Sequence, residues 1–273
     1  MKFDYALKFR KNEHSLLWGT ESWEVSAHVD SPSVIANGSL AGERLSDVAG
    51  DFPLLIKVID AKKRLSLQVH PNESTAPVTG GEPKTEMWCM LEPGVIYAGF
   101  KPGVDRATVV SALAANDVES LLLRHECRKG DVFYIPGGLV HAIDGNVRLY
   151  EVQQSSNTTF RVYDWGRVDA EGRSRELHVG ESLATMDLSL PAPEALNEVD
   201  SPFFRFRQIR VDGVVDLAPE NAYTTVFAPE APLSVNGVEL SAGESALIAP
   251  LMPCRMEGSE QTAFVTRSRD LPG

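Results

Sequence analysis

Residues 65–70 read LSLQVH and alternate apolar and polar side chains without a break. In an extended chain this period sends Leu65, Leu67 and Val69 to one face and Ser66, Gln68 and His70 to the other. A strand with one packing face and one polar face needs a partner for the polar set. Short runs of the same kind recur at LLIKVID (54–60), EMWCMLE (86–92), VIYAGF (95–100), DVFYIP (131–136) and RLYEVQQ (148–154), each bounded by turn residues. Strands do not alternate regularly with helices, so the pattern favours a sandwich or jelly roll over a parallel α/β sheet.

One block breaks the β pattern. In VDRATVVSALAANDVESLLLRH, Val109 and Leu113, then Val118, Leu121 and Leu122, recur at helical spacing behind possible caps at Asp105 and Asn116. Two short helices inserted near residues 104–125 are expected. Further on, Pro191, Pro193 and Pro202 mark a connector and place a boundary near 195. This gives a domain over 1–195 and a smaller β domain over 196–273. The smaller domain echoes the larger: GDVFYIPGGLVHAI (130–143) aligns without gaps on GESALIAPLMPCRM (243–256), with His141 falling on Cys254.

The 273 residues carry 26 basic and 38 acidic side chains, and a net charge of -12 repels nucleic-acid phosphates. No long uncharged apolar run suggests a membrane span. The start, MKFDYALKFRKNE, lacks an apolar signal core, which leads to the expectation of a cytoplasmic protein. Cys89, Cys127 and Cys254 are widely spaced, so a disulfide framework or thiolate zinc site is not expected.

The pattern G-D-x-x-x-I-P-x-G-x-x-H-A-I at 130–143, with WGTESWEVS (18–26), LSLQVHP (65–71), PKTEMW (83–88) and LYEVQQSSNTTFRVYDWGR (149–167), resembles type I phosphomannose isomerase, a family of the cupin superfamily, in its short bacterial form. The resemblance implies a mainly β fold of tandem cupin-type jelly-roll barrels with a small helical insertion. It also implies a zinc-dependent isomerase that interconverts mannose 6-phosphate and fructose 6-phosphate. One Zn²⁺ per chain is implied on Gln68, His70, Glu86 and His141, a donor set that suits zinc. Arg161 is implied as catalytic, with Glu151 or Lys84 carrying the proton; Ser66, Lys84 and Arg161 are candidate substrate contacts. A turn within SSNTT (155–159) could bring Glu151 opposite Arg161 in a hairpin. The resembled pattern usually has Asp where this chain has Asn157, an amide that cannot exchange a proton as a carboxylate can.

A lone histidine is more often a hydrogen-bonded structural group than a ligand, and His14, His28, His125 and His178 are read that way. Trp88 shares the parity of Glu86 and could line the same pocket. Two histidines and one carboxylate also describe non-haem iron sites, so a cupin oxygenase is an alternative. A non-catalytic sugar-binding cupin, encouraged by Asn157, is another. The expected partner is a small phosphorylated hexose, and the oligomeric state is not legible.

Overall fold

The computed structural model describes residues 3–50, 52–168 and 171–269. The chain is mainly β, with antiparallel sheets and four short α-helices among the described residues. It divides into two compact units. One comprises residues 15–21 and 59–196, the other residues 1–14, 22–58 and 197–273. A break falls between Leu196 and Asn197, close to the connector that the prolines mark. The N-terminal segments nevertheless group with the C-terminal one, and strand Leu7–Lys8 shows why: it pairs with Glu244–Ile248, Leu7 opposite Leu247.

In the unit that holds residues 59–196, one sheet has the order Phe160–Tyr163, Leu67–Val69, His141–Ile143, Gly94–Phe100, Leu122–Cys127. A second sheet places Glu86–Met90 between Val147–Gln154 and Val132–Ile135. The alternation of LSLQVH holds within strand Leu67–Val69, but Leu65 lies ahead of that strand and packs in the other apolar cluster with Trp88 and Ile143, not with Leu67 and Val69 as the alternation predicts. Leu67 and Val69 are fully buried and pack with Ala112, Val118 and Leu122 of the helical insertion and its flank. The opposite parity carries Gln68 and its cross-strand neighbours. A separate apolar cluster that includes Trp88, Ile96, Ala98, Phe133, Ile143 and Leu149 fills the space on that side.

The insertion is helical at Arg106–Ala114, with Asp105 as N-cap accepting from Thr108 N–H at 2.8 Å. The second expected helix is only a 3-10 turn, Val118–Leu121, and residues 122–127 are a strand instead. Asn116 sits at φ 55 between them, a left-handed position that Asn tolerates better than most residues and that stops the first helix. Among the described residues, no helix is long and apolar enough to cross a membrane.

The other unit holds an eight-stranded sheet in which the long strands Phe204–Leu217 and Cys254–Ser268 pair along most of their length. The echo of 130–143 falls there on strands Glu244–Ile248 and Cys254–Ser268. Cys254 is buried, and burial together with the charge of Asp216 pushes its thiol up to about 12, as befits a packing residue.

Candidate metal and isomerisation site

Three stretches of chain converge inside the unit that spans 59–196. His70 follows strand Leu67–Val69, Glu86 opens strand Glu86–Met90, and His141 opens strand His141–Ile143. Backbone contacts stitch the three together. Gly138 N–H donates to His70 C=O at 2.8 Å, and Lys84 N–H donates to Pro71 C=O at 2.8 Å. Gly137 N–H donates to Thr85 Oγ1 at 3.1 Å. Thr85 thus points away from its neighbours Lys84 and Glu86 in sequence and anchors the turn that delivers His141.

All three residues are 1% exposed. His141 Nε2 lies 3.1 Å from His70 Nε2 and 3.5 Å from Glu86 Oε1, and His70 Nε2 lies 3.4 Å from Glu86 Oε2. His141 Nδ1–H donates to the Leu139 carbonyl at 2.8 Å, which leaves Nε2 as the ring's lone-pair nitrogen, aimed at the cluster. Neither oxygen of Glu86 accepts a hydrogen bond of good geometry, although Lys84 Nζ pairs with Oε2 at 2.8 Å and stands 3.0 Å from His70 Nε2. Buried donors at this spacing fit one small divalent ion, because two ligand bonds of about 2.1 Å at near-tetrahedral angles set their atoms about 3.4 Å apart. Among the described residues, His70, Glu86 and His141 form the group with metal-ligand spacing.

The electrostatics favour the ligating forms. Burial, followed by the charge of Lys84, pushes the His70 imidazole down to about 3, and burial likewise lowers His141. Burial alone would raise Glu86, but the Lys84 ammonium beside it outweighs burial and holds the carboxyl well below its usual range.

Gln68 pairs in register with His141 on one side and Arg161 on the other. Residues directly opposite on neighbouring strands share a face, so Arg161, Gln68 and His141 form one row across the sheet. Ser66 lies two residues before Gln68 and is buried. Arg161 Nη1 donates to Glu176 C=O at 2.6 Å, and burial followed by repulsion from Arg175 lowers its guanidinium from the ordinary value.

Glu151 is placed differently from the hairpin expected at the sequence level. Strand Val147–Gln154 belongs to the sheet with Glu86–Met90, and Phe160–Tyr163 belongs to the other, so Glu151 does not stand opposite Arg161. Residues 155–159 cross between sheets because each flanking strand finds a longer-range partner. Glu151 stands opposite Trp88 and accepts its Nε1–H at 2.9 Å, and the Trp88 ring meets His141 edge-on at 5.3 Å. Asn157 is exposed in that crossing.

Two contributors had no signal in the sequence. The Leu139 carbonyl that sets the His141 tautomer is a backbone atom, and only the turn geometry shows it. His178, which carries no motif, accepts Arg161 N–H on Nδ1 at 3.0 Å and so helps hold the strand of the arginine.

This arrangement defines a cupin-type β protein with a buried His, Glu, His ligand cluster. A family model for the catalytic domain of type I phosphomannose isomerase matches residues 17–88. A mannose-6-phosphate isomerase from Streptococcus mutans is 34% identical over 233 residues, covering 76% of this chain and 73% of that protein. Mannose-6-phosphate isomerase ManA from Bacillus subtilis is 37% identical over 190 residues, 63% of this chain and 60% of that one. The crystal structure of a mannose 6-phosphate isomerase from Bacillus subtilis superposes with a TM-score of 0.87 at 24% identity, covering 96% of this chain and 99% of its own. The chain belongs to the type I phosphomannose isomerase family.

Proposed function

We propose that the protein interconverts mannose 6-phosphate and fructose 6-phosphate, with Gln68, His70, Glu86 and His141 holding one Zn²⁺. The observation that carries this is the convergence of two imidazole nitrogens and a carboxylate, all buried, beside the ammonium of Lys84. When bound, the ion supplies Lewis-acid polarisation of the substrate's carbonyl and adjacent hydroxyl oxygens.

The reaction takes a proton from C2 of the open-chain aldose, passes through a cis-enediolate and returns a proton to C1, with the hydroxyl proton moving from O2 to O1. Lys84 is the proton-bearing group in contact with the ligand cluster, so it is the favoured carrier. Glu151, held by Trp88, is the second candidate. Arg161 occupies the row of Gln68 and His141 and supplies a permanent planar cation to the developing oxyanion. Ser66, buried just ahead of strand Leu67–Val69, offers a hydroxyl to the sugar. The phosphate binds away from the reacting carbons, so its binding energy orients the sugar.

The test is a coupled assay for fructose 6-phosphate release from mannose 6-phosphate, run beside a measurement of bound metal. Turnover that disappears with a chelator and returns with zinc is the expected result. A metal-loaded protein that binds the sugar without turnover would overturn the isomerase reading, and oxygen consumption with iron bound would favour an oxygenase, whose ligand set this cluster also resembles.

A further inference from the structure

The sheet of the C-terminal strands carries a second unusual cluster. One of its faces is an apolar core that includes Val226, Ala246, Ile248, Ala263 and Val265. Register shows what continues that face. On the paired strands Phe204–Leu217 and Cys254–Ser268, Arg207 stands opposite Val265 and Arg205 stands opposite Arg267. Two guanidinium groups therefore lie side by side at the end of an apolar surface.

That placement is unfavourable unless something offsets it, since like charges directly opposite on paired strands destabilise them. Glu220 is ion-paired with both Arg205 and Arg267, yet one carboxylate neutralises only one of the two charges. The Nε atoms of Arg205 and Arg267 are both buried and have no hydrogen-bond partner. Arg207 adds a third cation; its pairing with Glu198 at 2.9 Å involves two well-exposed side chains and is weak. Burial and the charges of Arg205 and Arg207 lower Arg267 from its ordinary value, so the repulsion is felt at the most buried member. Between these groups lies a cavity of about 70 Å³, floored by Ile209, Leu217 and Val265.

We propose that this cavity binds one tetrahedral oxyanion, the phosphoryl group of a phosphate ester or free phosphate, held by Arg205 and Arg267 with Arg207 at the rim. Guanidinium forks match phosphate oxygens two at a time, and Arg205 and Arg267 can both present nitrogens to the cavity even though Arg267 also donates Nη2–H to Ala218 C=O at 2.8 Å. Arg267, 14% exposed, is screened by less water than a surface group, which strengthens the attraction. Glu220 is then a competitor that shares the arginines with the anion. None of the lining residues is among those assigned to isomerisation.

The experiment is calorimetric titration of the full-length, metal-loaded protein with inorganic phosphate at low ionic strength. The wild type should bind one more phosphate per chain than R205Q/R267Q, with the isomerase kcat unchanged between them. Glu220→Gln should bind phosphate about fivefold more tightly, because a competing charge is gone. A purely structural ion-pair network predicts the reverse, lower stability and no gain in binding. Equal stoichiometry in wild type and double variant, or unchanged affinity in Glu220→Gln, overturns the proposal. Should the double variant fail to fold, Arg267→Lys keeps the charge and loses the fork: binding weakened about tenfold supports the site, and unchanged binding overturns it. Titration of wild type and R205Q/R267Q with sorbitol 6-phosphate, which has no carbonyl to isomerise, separates the two sources once binding common to both proteins is subtracted. Tighter binding than phosphate identifies an ester site, and equal binding a free-phosphate site.

Discussion

Gly138 donates its backbone N–H to the carbonyl of His70 at 2.8 Å, so the turn that delivers one imidazole is fastened to the strand end that bears the other. Gly138 sits at φ 98, and a Cβ built there would stand 3.2 Å from Cβ of Asp187. Gly138→Ala should therefore cost about 1–2 kcal/mol, the penalty of a left-handed backbone for an L-residue, and loosen the metal cluster with it. Denaturant unfolding of the metal-free protein checks the first effect and a zinc titration the second. Unchanged affinity for zinc would show that the turn does not position His141.

Histidine 141 should be needed for metal and turnover together. Its Nε2 is committed to the cluster by the Leu139 bond on Nδ1, so His141→Ala removes a preset ligand. Elemental analysis should find zinc reduced to a small fraction of the wild-type content and the isomerase assay should find no activity. A metal-free His141→Ala protein with full activity would remove the proposed mechanism.

Lysine 84 separates chemistry from metal binding. It pairs with Glu86 in a site where both are nearly inaccessible, so Lys84→Met leaves a buried carboxylate without its cation. In the metal-free protein this should cost about 3–5 kcal/mol. With zinc present the carboxylate is compensated again, so the loaded variant should fold while kcat drops by about 10²- to 10⁴-fold. A variant that loses zinc but keeps its kcat per bound metal would reassign the proton to Glu151.

Metal-free stability should depend on pH with a definite sign. His70 is pushed down to about 3 and His141 is lowered, chiefly by burial, whereas an unfolded imidazole titrates near 6.5. Between those values the unfolded chain binds the protons, so the contribution is complete above about pH 6.5 and is lost as pH falls towards 3. Urea unfolding of chelator-treated protein at about pH 7 and about pH 5 should show this loss, and His70→Gln, which cannot titrate, should show a shallower one. Equal slopes for the two proteins would remove the assignment.

The cluster of His70, Glu86 and His141 was legible because its members occupy the motif positions that carry the family resemblance. The alternation of LSLQVH alone assigns Gln68 and His70 to one face, and Asp105 marks a helix start by local capping chemistry. The placement of Glu151 was not legible. Whether SSNTT closes a hairpin or crosses between sheets depends on where Trp88 and Gln68 already lie, and no local preference encodes that. The same holds for the pairing of Leu7 with Leu247, which joins the first strand to the C-terminal sheet across most of the chain. Arg205 and Arg267 are unremarkable in sequence; only the register of two long strands puts them side by side.

Tryptophan 88 tests whether Glu151 is held for chemistry or for packing. Its indole Nε1–H reaches Glu151 Oε2 at 2.9 Å, and both side chains are buried. Trp88→Phe keeps an aromatic ring beside His141 and removes that donor, which should destabilise the protein by about 1–3 kcal/mol, the range for weakening a buried polar group's hydrogen bonding. If Glu151 is structural, kcat and its pH profile stay at wild-type values while unfolding shifts. If Glu151 carries the proton, loss of the donor raises its carboxyl's pKa and moves the acid limb of the kcat profile to higher pH, because a carboxylate base must then be deprotonated at a higher pH to act. Steady-state kinetics across the acid range, read beside the unfolding data, distinguishes the two.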